Sequence, residues 1–235
     1  MLEMTIAGRS VSTFATGAFS PGEEAAVVYI HSFAAGQAET IAKLCKQKYI
    51  LVNLPWTDEL TPWPAKKAFP KGKDFTGGGD RYGKELVDIM LPGIEEQIRQ
   101  YYDVKIEERR RGLAGYSLAG LFALYTAYRT DCFPLTGSVS GSLWYDAFLQ
   151  YVLAHTPMDL KPQIAETGTK RRFYFSLGDR EERVREPRMR RVALCTEAIV
   201  TQLGQMYDVA YVRNPGGHFT EPEKRMAAGI DALLR

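Results

Sequence analysis

Cysteine and histidine are scarce in this chain of 235 residues, with three of each. The cysteines are odd in number and widely spaced: Cys45, Cys132 and Cys195. This spacing excludes a disulfide framework and a cysteine-rich zinc site, so we expect reduced thiols, no bound metal and no organic cofactor. A reaction that needs an imidazole has only three candidates: His31, His155 and His218.

The sequence also lacks a long apolar run and an excess of charge of one sign. Its net charge of +2 gives no reason to expect nucleic acid or an anionic membrane as a partner. The arginines between residues 180 and 191 alternate with glutamates, as on a solvated surface. No segment is long enough to span a bilayer, and residues 1–5 do not resemble the start of a signal peptide. We therefore expect a cytoplasmic protein; the sequence does not indicate its oligomeric state.

Apolar runs and helical patterns alternate along the chain. Strands are predicted at 4–7, 10–14, 25–30, 49–53, 111–114, 135–140, 173–177 and 209–212, and helices at 37–46, 83–102 with a kink at Pro92, 121–128, 187–205 and 222–234. Strands that alternate with helices indicate a mostly parallel sheet covered by helices on both faces, here with an antiparallel hairpin at its edge. The predicted class is α/β, as one domain over residues 1–235.

Residues 54–82 interrupt this alternation. The segment combines four prolines, four Trp or Phe residues and Gly77-Gly78-Gly79. Loops of this length are uncommon in a compact domain unless they are functional or disordered, and the aromatic residues argue against disorder. We expect a wall or lid beside a binding cleft; a purely structural cover over the sheet is the alternative.

The stretch Gly115-Tyr116-Ser117-Leu118-Ala119-Gly120 places a serine between a predicted strand and a predicted helix. It is a variant of Gly-x-Ser-x-Gly in which Ala119 stands two residues after the serine and Gly120 follows. A serine at such a strand-to-helix turn is typical of the nucleophile elbow of α/β hydrolases. The flanking glycines fit where strand and helix nearly touch.

A serine nucleophile needs a general base, and His218 is the best candidate. It lies in a glycine-rich loop after the last predicted strand, where the triad histidine of α/β hydrolases is found. The oxyanion hole of this fold uses the amide after the nucleophile, here Leu118, and an amide after an earlier strand, here Ser32 or Phe33. His31, beside that pair, either contacts the substrate or orients the loop.

The third member of a triad would be a carboxylate between Ser117 and His218. Three acids follow the predicted strand 173–177: Asp179, Glu181 and Glu182. Its role is to orient the imidazole and to stabilise the imidazolium. Position alone does not choose among the three.

These residues resemble the putative esterase family of the α/β hydrolases, which includes enterochelin and salmochelin esterases, feruloyl esterases, esterase D and mycolyltransferases. The resemblance covers nearly the whole chain and is strongest over residues 115–120, 138–144, 177–182 and 215–219. It implies an acid in a Gly-x-x-Asp/Glu arrangement, which selects Glu181, with Asp179 second. It also implies that Trp144 lies near the nucleophile and the substrate.

The residues and the resemblance together indicate a serine hydrolase that cleaves a small-molecule carboxylic ester through an acyl-enzyme on Ser117, either a siderophore-type ester or a small acyl or aryl ester. Two alternatives stay open. An acyltransferase or a thioesterase would use the same triad, and a non-catalytic binding protein would use only the fold.

Overall fold

A mixed eight-stranded sheet organises the computed structural model, which describes residues 1–68, 72–166 and 168–235. The strands of this sheet are β1 Leu2–Ile6, β2 Arg9–Ala15, β3 Glu23–His31, β4 Ile50–Leu54, β7 Val104–Tyr116, β8 Leu135–Val139, β9 Arg172–Gly178 and β10 Asp208–Asn214, and a separate small hairpin contains β5 Pro64–Ala65 and β6 Phe75–Thr76. The order across the sheet is β1-β2-β4-β3-β7-β8-β9-β10. Within this sheet, over the residues that the structure describes, only the β1–β2 and β2–β4 pairs are antiparallel, and the β5–β6 hairpin is antiparallel as well. The predicted parallel sheet with an antiparallel edge hairpin is confirmed.

Helices cover both faces of the sheet. They are α1 Gln37–Leu44, α2 Gly79–Glu85, α3 Leu91–Tyr102, α4 Leu118–Ala127, α5 Phe148–Ala154, α6 Pro162–Ala165, α7 Val192–Gly204 and α8 Pro222–Leu233. Consecutive side chains of β3 point to opposite faces. Val27 and Tyr29 pack in a cluster with residues of α3 and α4, whereas Val28 and Ile30 pack with residues of α1 and α8. Among the described residues, no helix is both long and apolar enough to cross a membrane.

Several elements differ from the prediction in length; the helix predicted from residue 187, for example, begins at Val192, after a 3-10 turn at Met189–Arg191. β7 begins at Val104, seven residues before the predicted strand, because its first half is charged and shows no apolar run. The predicted helix 83–102 is longer as well: α2 starts at Gly79, a π-helical turn follows at Leu86–Met90, and Pro92 lies in the first turn of α3. Pro92 has no N–H to donate to the helical hydrogen bonds. The π turn directly before α3 also interrupts the regular α-helical hydrogen bonding.

The described part of the segment 54–82 makes specific contacts with the rest of the fold; residues 69–71 of the predicted wall lie outside the described residues. The Trp63 indole donates to the Asp146 carbonyl at 2.8 Å, and the Tyr145 hydroxyl donates to the Trp63 carbonyl at 2.5 Å. A Cβ at Gly77 would lie 2.3 Å from the Trp63 and Pro64 backbone, so only glycine fits there. The segment is thereby fixed to the loop that follows β8.

Candidate active site

Ser117 lies at a sharp turn between β7 and α4. Its φ of 59° and ψ of −119° are rarely adopted by a side-chain-bearing residue, and such strain is concentrated at functional sites. A Cβ on Gly115 would lie 2.2 Å from the Ala119 carbonyl carbon, and one on Gly120 would lie 2.8 Å from the Gly115 carbonyl oxygen. Strand and helix therefore approach so closely that glycine is required at both positions, while the alanine at 119 is accommodated.

A continuous hydrogen-bonded chain leads away from this serine. Ser117 Oγ lies 3.1 Å from His218 Nε2, and His218 Nδ1 lies 2.8 Å from Glu181 Oε2. Serine, imidazole and carboxylate are thus in the order that general-base activation of a serine requires. The structure brings together the three residues that the sequence analysis ranked first.

The Glu181 carboxylate is buried and receives donors on both oxygens. Oε1 accepts hydrogen bonds from the Gly178 amide at 2.6 Å and the Ser140 hydroxyl at 2.7 Å, and the Arg225 guanidinium lies 3.3 Å away. Burial raises the pKa of Glu181, but the hydrogen bonds from His218, Gly178 and Ser140 outweigh it, so the pKa lies below its ordinary value. The carboxylate is therefore ionised at neutral pH.

The two neighbouring acids have other contacts. Asp179 Oδ1 accepts the Gly216 amide at 2.8 Å, which fastens the loop that carries His218. Glu182 faces Arg213 at 3.4 Å on the surface. Neither contacts the imidazole, and position in the sequence alone could not separate the three acids, because they follow the same strand end.

Two further hydrogen bonds hold the loop that carries His218. Tyr116, the residue before the serine, donates its hydroxyl to the His218 carbonyl, and its ring lies 5.4 Å from the imidazole. The Arg225 guanidinium of α8 donates to the Pro215 carbonyl at 2.9 Å. Arg225 therefore contacts both the carboxylate and the start of the histidine loop.

The expected oxyanion donors lie at two element ends. The Leu118 amide opens α4, where the first N–H groups of a helix have no intrahelical acceptor. Ser32 follows β3 directly, and the Phe33 amide donates to Gln37 Oε1 at 3.1 Å. Leu118 and Ser32 are half-buried, and Phe33 is exposed.

Of the two roles that the sequence left open for His31, the structure favours orientation of the loop over contact with substrate. Its imidazole is only 3% exposed and lies 2.8 Å from the Tyr82 hydroxyl, with its ring edge-on to Phe122. Burial, with a smaller effect of the Arg9 charge, lowers the pKa of His31 to about 3. It is a neutral core residue that supports the loop after β3.

Trp144 is buried as well, against Ala68, Leu177 and Val192. Its ring lies 6.5 Å from that of Phe75, in the segment 54–82, so it supports the wall more than it faces a cleft. His155, to which no role was assigned, is exposed at the end of α5.

A cavity of about 390 Å³ lies between the segment 54–82 and the elbow. Its lining combines apolar and charged side chains, among them Trp56, Leu60, Lys73, Phe75 and Leu118. Leu118, the residue after Ser117, lines this cavity, whereas Ser117 and His218 do not. Its size is within the range of small-ligand pockets, about 300–1,000 Å³.

Among the residues beside the site to which the sequence analysis gave no role are Arg225 and Ser142. Arg225 lies within a helix, where an arginine gives no signal of burial. Ser142 Oγ lies 3.3 Å from Ser117 Oγ, and only its place in the stretch 138–144, which carried the family resemblance, could have drawn attention to it.

The sheet, the elbow and the serine–histidine–carboxylate chain define an α/β hydrolase of the serine type. The family described as Putative esterase matches residues 24–219. The chain therefore belongs to this esterase family.

One curated protein and several solved structures are similar to the chain. The Bacillus subtilis (strain 168) protein described as "Uncharacterized protein YbbA" is 31% identical over 143 residues, which are 60% of this chain; the chain thus spans about half, 52%, of that relative. An IroE-like serine hydrolase from Shewanella oneidensis superposes with a TM-score of 0.68 at 18% identity, over 96% of this chain and 75% of that one. Siderophore hydrolase EstB from Aspergillus nidulans gives 0.67 at 16% identity, over 98% and 92%. At these identities the solved structures show the shared fold.

Proposed function

We propose that the protein hydrolyses carboxylic esters through an acyl-enzyme on Ser117, with His218 as general base and Glu181 as the acid that orients it. The observation that carries the proposal is the pair of contacts at 3.1 Å and 2.8 Å that join the three side chains in one chain. The family and the strained elbow support the same reading.

In the first half of the reaction, His218 Nε2 takes the Ser117 proton while Oγ attacks the ester carbonyl carbon. The negative oxygen of the tetrahedral intermediate is held by the Leu118 amide and by an amide of the Ser32–Phe33 pair. Each such donor is worth roughly 3–4 kcal/mol in the transition state. The alcohol leaves with the proton from His218, and a water activated by the same imidazole releases the acid.

Glu181 contributes through charge and orientation. Its ionised carboxylate accepts a hydrogen bond from Nδ1–H, which keeps the imidazole proton on Nδ1 and leaves Nε2 free to take the serine proton. When the imidazolium forms, the buried negative charge stabilises it.

We further propose a small ester with an apolar or aryl acyl group, or a siderophore-type ester, as substrate. The cavity beside Leu118 has aromatic walls from Trp56 and Phe75, and the segment 54–82 would be its wall. Two of the solved structures that share the fold are described as a siderophore hydrolase and an IroE-like serine hydrolase. A panel of aryl, aliphatic and siderophore-type esters would rank these classes.

Labelling with a fluorophosphonate probe tests the nucleophile and the base. The wild-type protein should be labelled covalently, Ser117→Ala should not react, and His218→Ala should react at least about a hundredfold more slowly, because general-base catalysis is worth roughly 10²–10⁴-fold. Thermal unfolding of each variant controls for folding. A folded wild-type protein that remains unlabelled would falsify the proposal.

A further inference from the structure

The three-residue loop Ser140-Gly141-Ser142, which follows β8, contacts both ends of the serine–histidine–carboxylate chain. At one end the Ser140 hydroxyl donates to Glu181 Oε1 at 2.7 Å. At the other end Ser142 Oγ lies 3.3 Å from Ser117 Oγ. No part of the mechanism above uses the Ser142 hydroxyl.

This loop is fixed in place by its backbone. The Ser140 amide donates to the Ser176 carbonyl at 2.7 Å, and the Ser142 amide donates to the Ser117 carbonyl at 3.0 Å. A Cβ on Gly141 would lie 2.1 Å from Ser138 Oγ, so the loop lies too close to β8 for a side chain at position 141. To follow this path, Ser140 adopts a strained left-handed backbone conformation with a φ of 46°.

The direction of the Ser117–Ser142 hydrogen bond follows from the reaction. Ser117 must direct its own proton to His218 Nε2, so its Oγ can only accept from Ser142. Ser142 is 3% exposed, and Ser117 Oγ is the one acceptor in the described part of the chain that lies within reach of its hydroxyl. Because buried hydroxyls form hydrogen bonds, we expect the Ser142 hydroxyl to donate to Ser117 Oγ.

We propose that Ser142 is a further catalytic residue, whose hydroxyl donates a hydrogen bond to Ser117 Oγ. This inference rests on the proposed function. In the resting enzyme the bond turns the Ser117 proton toward His218.

The same bond acts at two points in turnover. During acylation Oγ loses its proton to His218 as its bond to the acyl carbon forms. During deacylation the bond between Oγ and the acyl carbon breaks, the electron pair returns to Oγ, and Oγ takes the proton back from His218. Ser142 transfers no proton; it stabilises the partial charge on Oγ in both steps, since a hydrogen bond strengthens when its acceptor becomes charged.

The test compares Ser142→Ala with Ser138→Ala. Both remove a buried hydroxyl next to the elbow, but Ser138 Oγ has no hydrogen-bond partner among the described residues. Turnover of a p-nitrophenyl ester and the rate of fluorophosphonate labelling are measured for both variants, per active site counted by burst titration. Ser142→Cys, which keeps a weak donor of similar size, replaces Ser142→Ala should the latter not fold.

We expect Ser142→Ala to lower kcat and the labelling rate by about 10- to 100-fold, the range for a hydrogen bond to a group that becomes charged, with KM nearly unchanged. Ser138→Ala should stay within about threefold of the wild type, and Ser142→Cys should lie between. Equal rates for Ser142→Ala and Ser138→Ala, or a loss confined to KM, would overturn the inference about Ser142 and leave the proposed function intact. An unlabelled wild-type protein would instead refute the proposed function.

Discussion

At Glu181, several hydrogen bonds converge on one buried carboxylate, while Asp179, two residues earlier, accepts a backbone amide at the surface and lies 3.7 Å from the Arg180 guanidinium. The difference arises from the turn after β9. That turn sends the side chain of Glu181 under the His218 loop and leaves Asp179 at its edge. Similar chemistry in neighbouring residues thus serves different purposes, which only the local backbone decides.

Amide substitutions separate these two roles. Glu181→Gln removes the charge that stabilises the imidazolium and offers a donor where an acceptor is needed, so kcat should fall by roughly a hundredfold or more. Asp179→Asn keeps an oxygen for the Gly216 amide and should change kcat by less than about threefold. Steady-state kinetics on both variants checks this, with thermal unfolding as a control. A larger loss in Asp179→Asn would exchange the two assignments.

At the scale of elements, the elbow depends on the distance between β7 and α4. Gly115 leaves no room for a methyl group, because the backbone of Ala119 occupies that place. Gly204, the last residue of α7, has open space around it. The same chemical change therefore has opposite expected effects at the two positions.

Gly115→Ala should destabilise the protein by about 3 kcal/mol or more, since the backbone of an element must shift. Gly204→Ala should be neutral or should stabilise by up to about 1 kcal/mol, because alanine restricts the unfolded chain and favours a helix. Urea unfolding curves of the two variants measure both effects. Comparable destabilisation at both sites would show that the elbow is less tightly packed than its geometry indicates.

Elements of strong periodicity were predictable from the sequence, and contacts between elements were not. Local sequence predicts the strands β3 and β9 from their apolar runs. It also predicts the elbow from the glycines around Ser117. The first half of β7 is charged, and the Glu181–Arg225 contact joins residues 44 positions apart, so neither leaves a local pattern. The two roles of His31 stayed open for the same reason: its place after β3 can be predicted, but its burial beside Tyr82 depends on the path of the segment 54–82.

For the whole molecule, the parallel sheet determines where the site forms. β3, β7, β8, β9 and β10 run in the same direction, so the loops after their carboxyl ends meet at one edge. Those loops supply the Ser32–Phe33 pair, Ser117, Ser142, Glu181 and His218 in turn. The stability of the fold is consequently a condition for the site, and one buried imidazole makes that stability depend on pH.

His31 is neutral in the fold, with a pKa of about 3, but titrates near 6.5 in the unfolded chain. Below pH 6.5 the unfolded state therefore binds a proton at His31 that the folded state does not bind. The free energy of unfolding consequently falls as the pH falls. Between pH 6.5 and 4.5 this one group should cost about 2 kcal/mol of unfolding free energy. His31→Gln, which keeps a polar partner for Tyr82 but does not titrate, should show a shallower decline over the same interval. Urea unfolding of both proteins at half-unit pH steps measures the difference, to which all other titrating groups contribute equally. Parallel curves for the two proteins would mean that His31 takes up its proton within the folded state, by a local opening of the loop after β3.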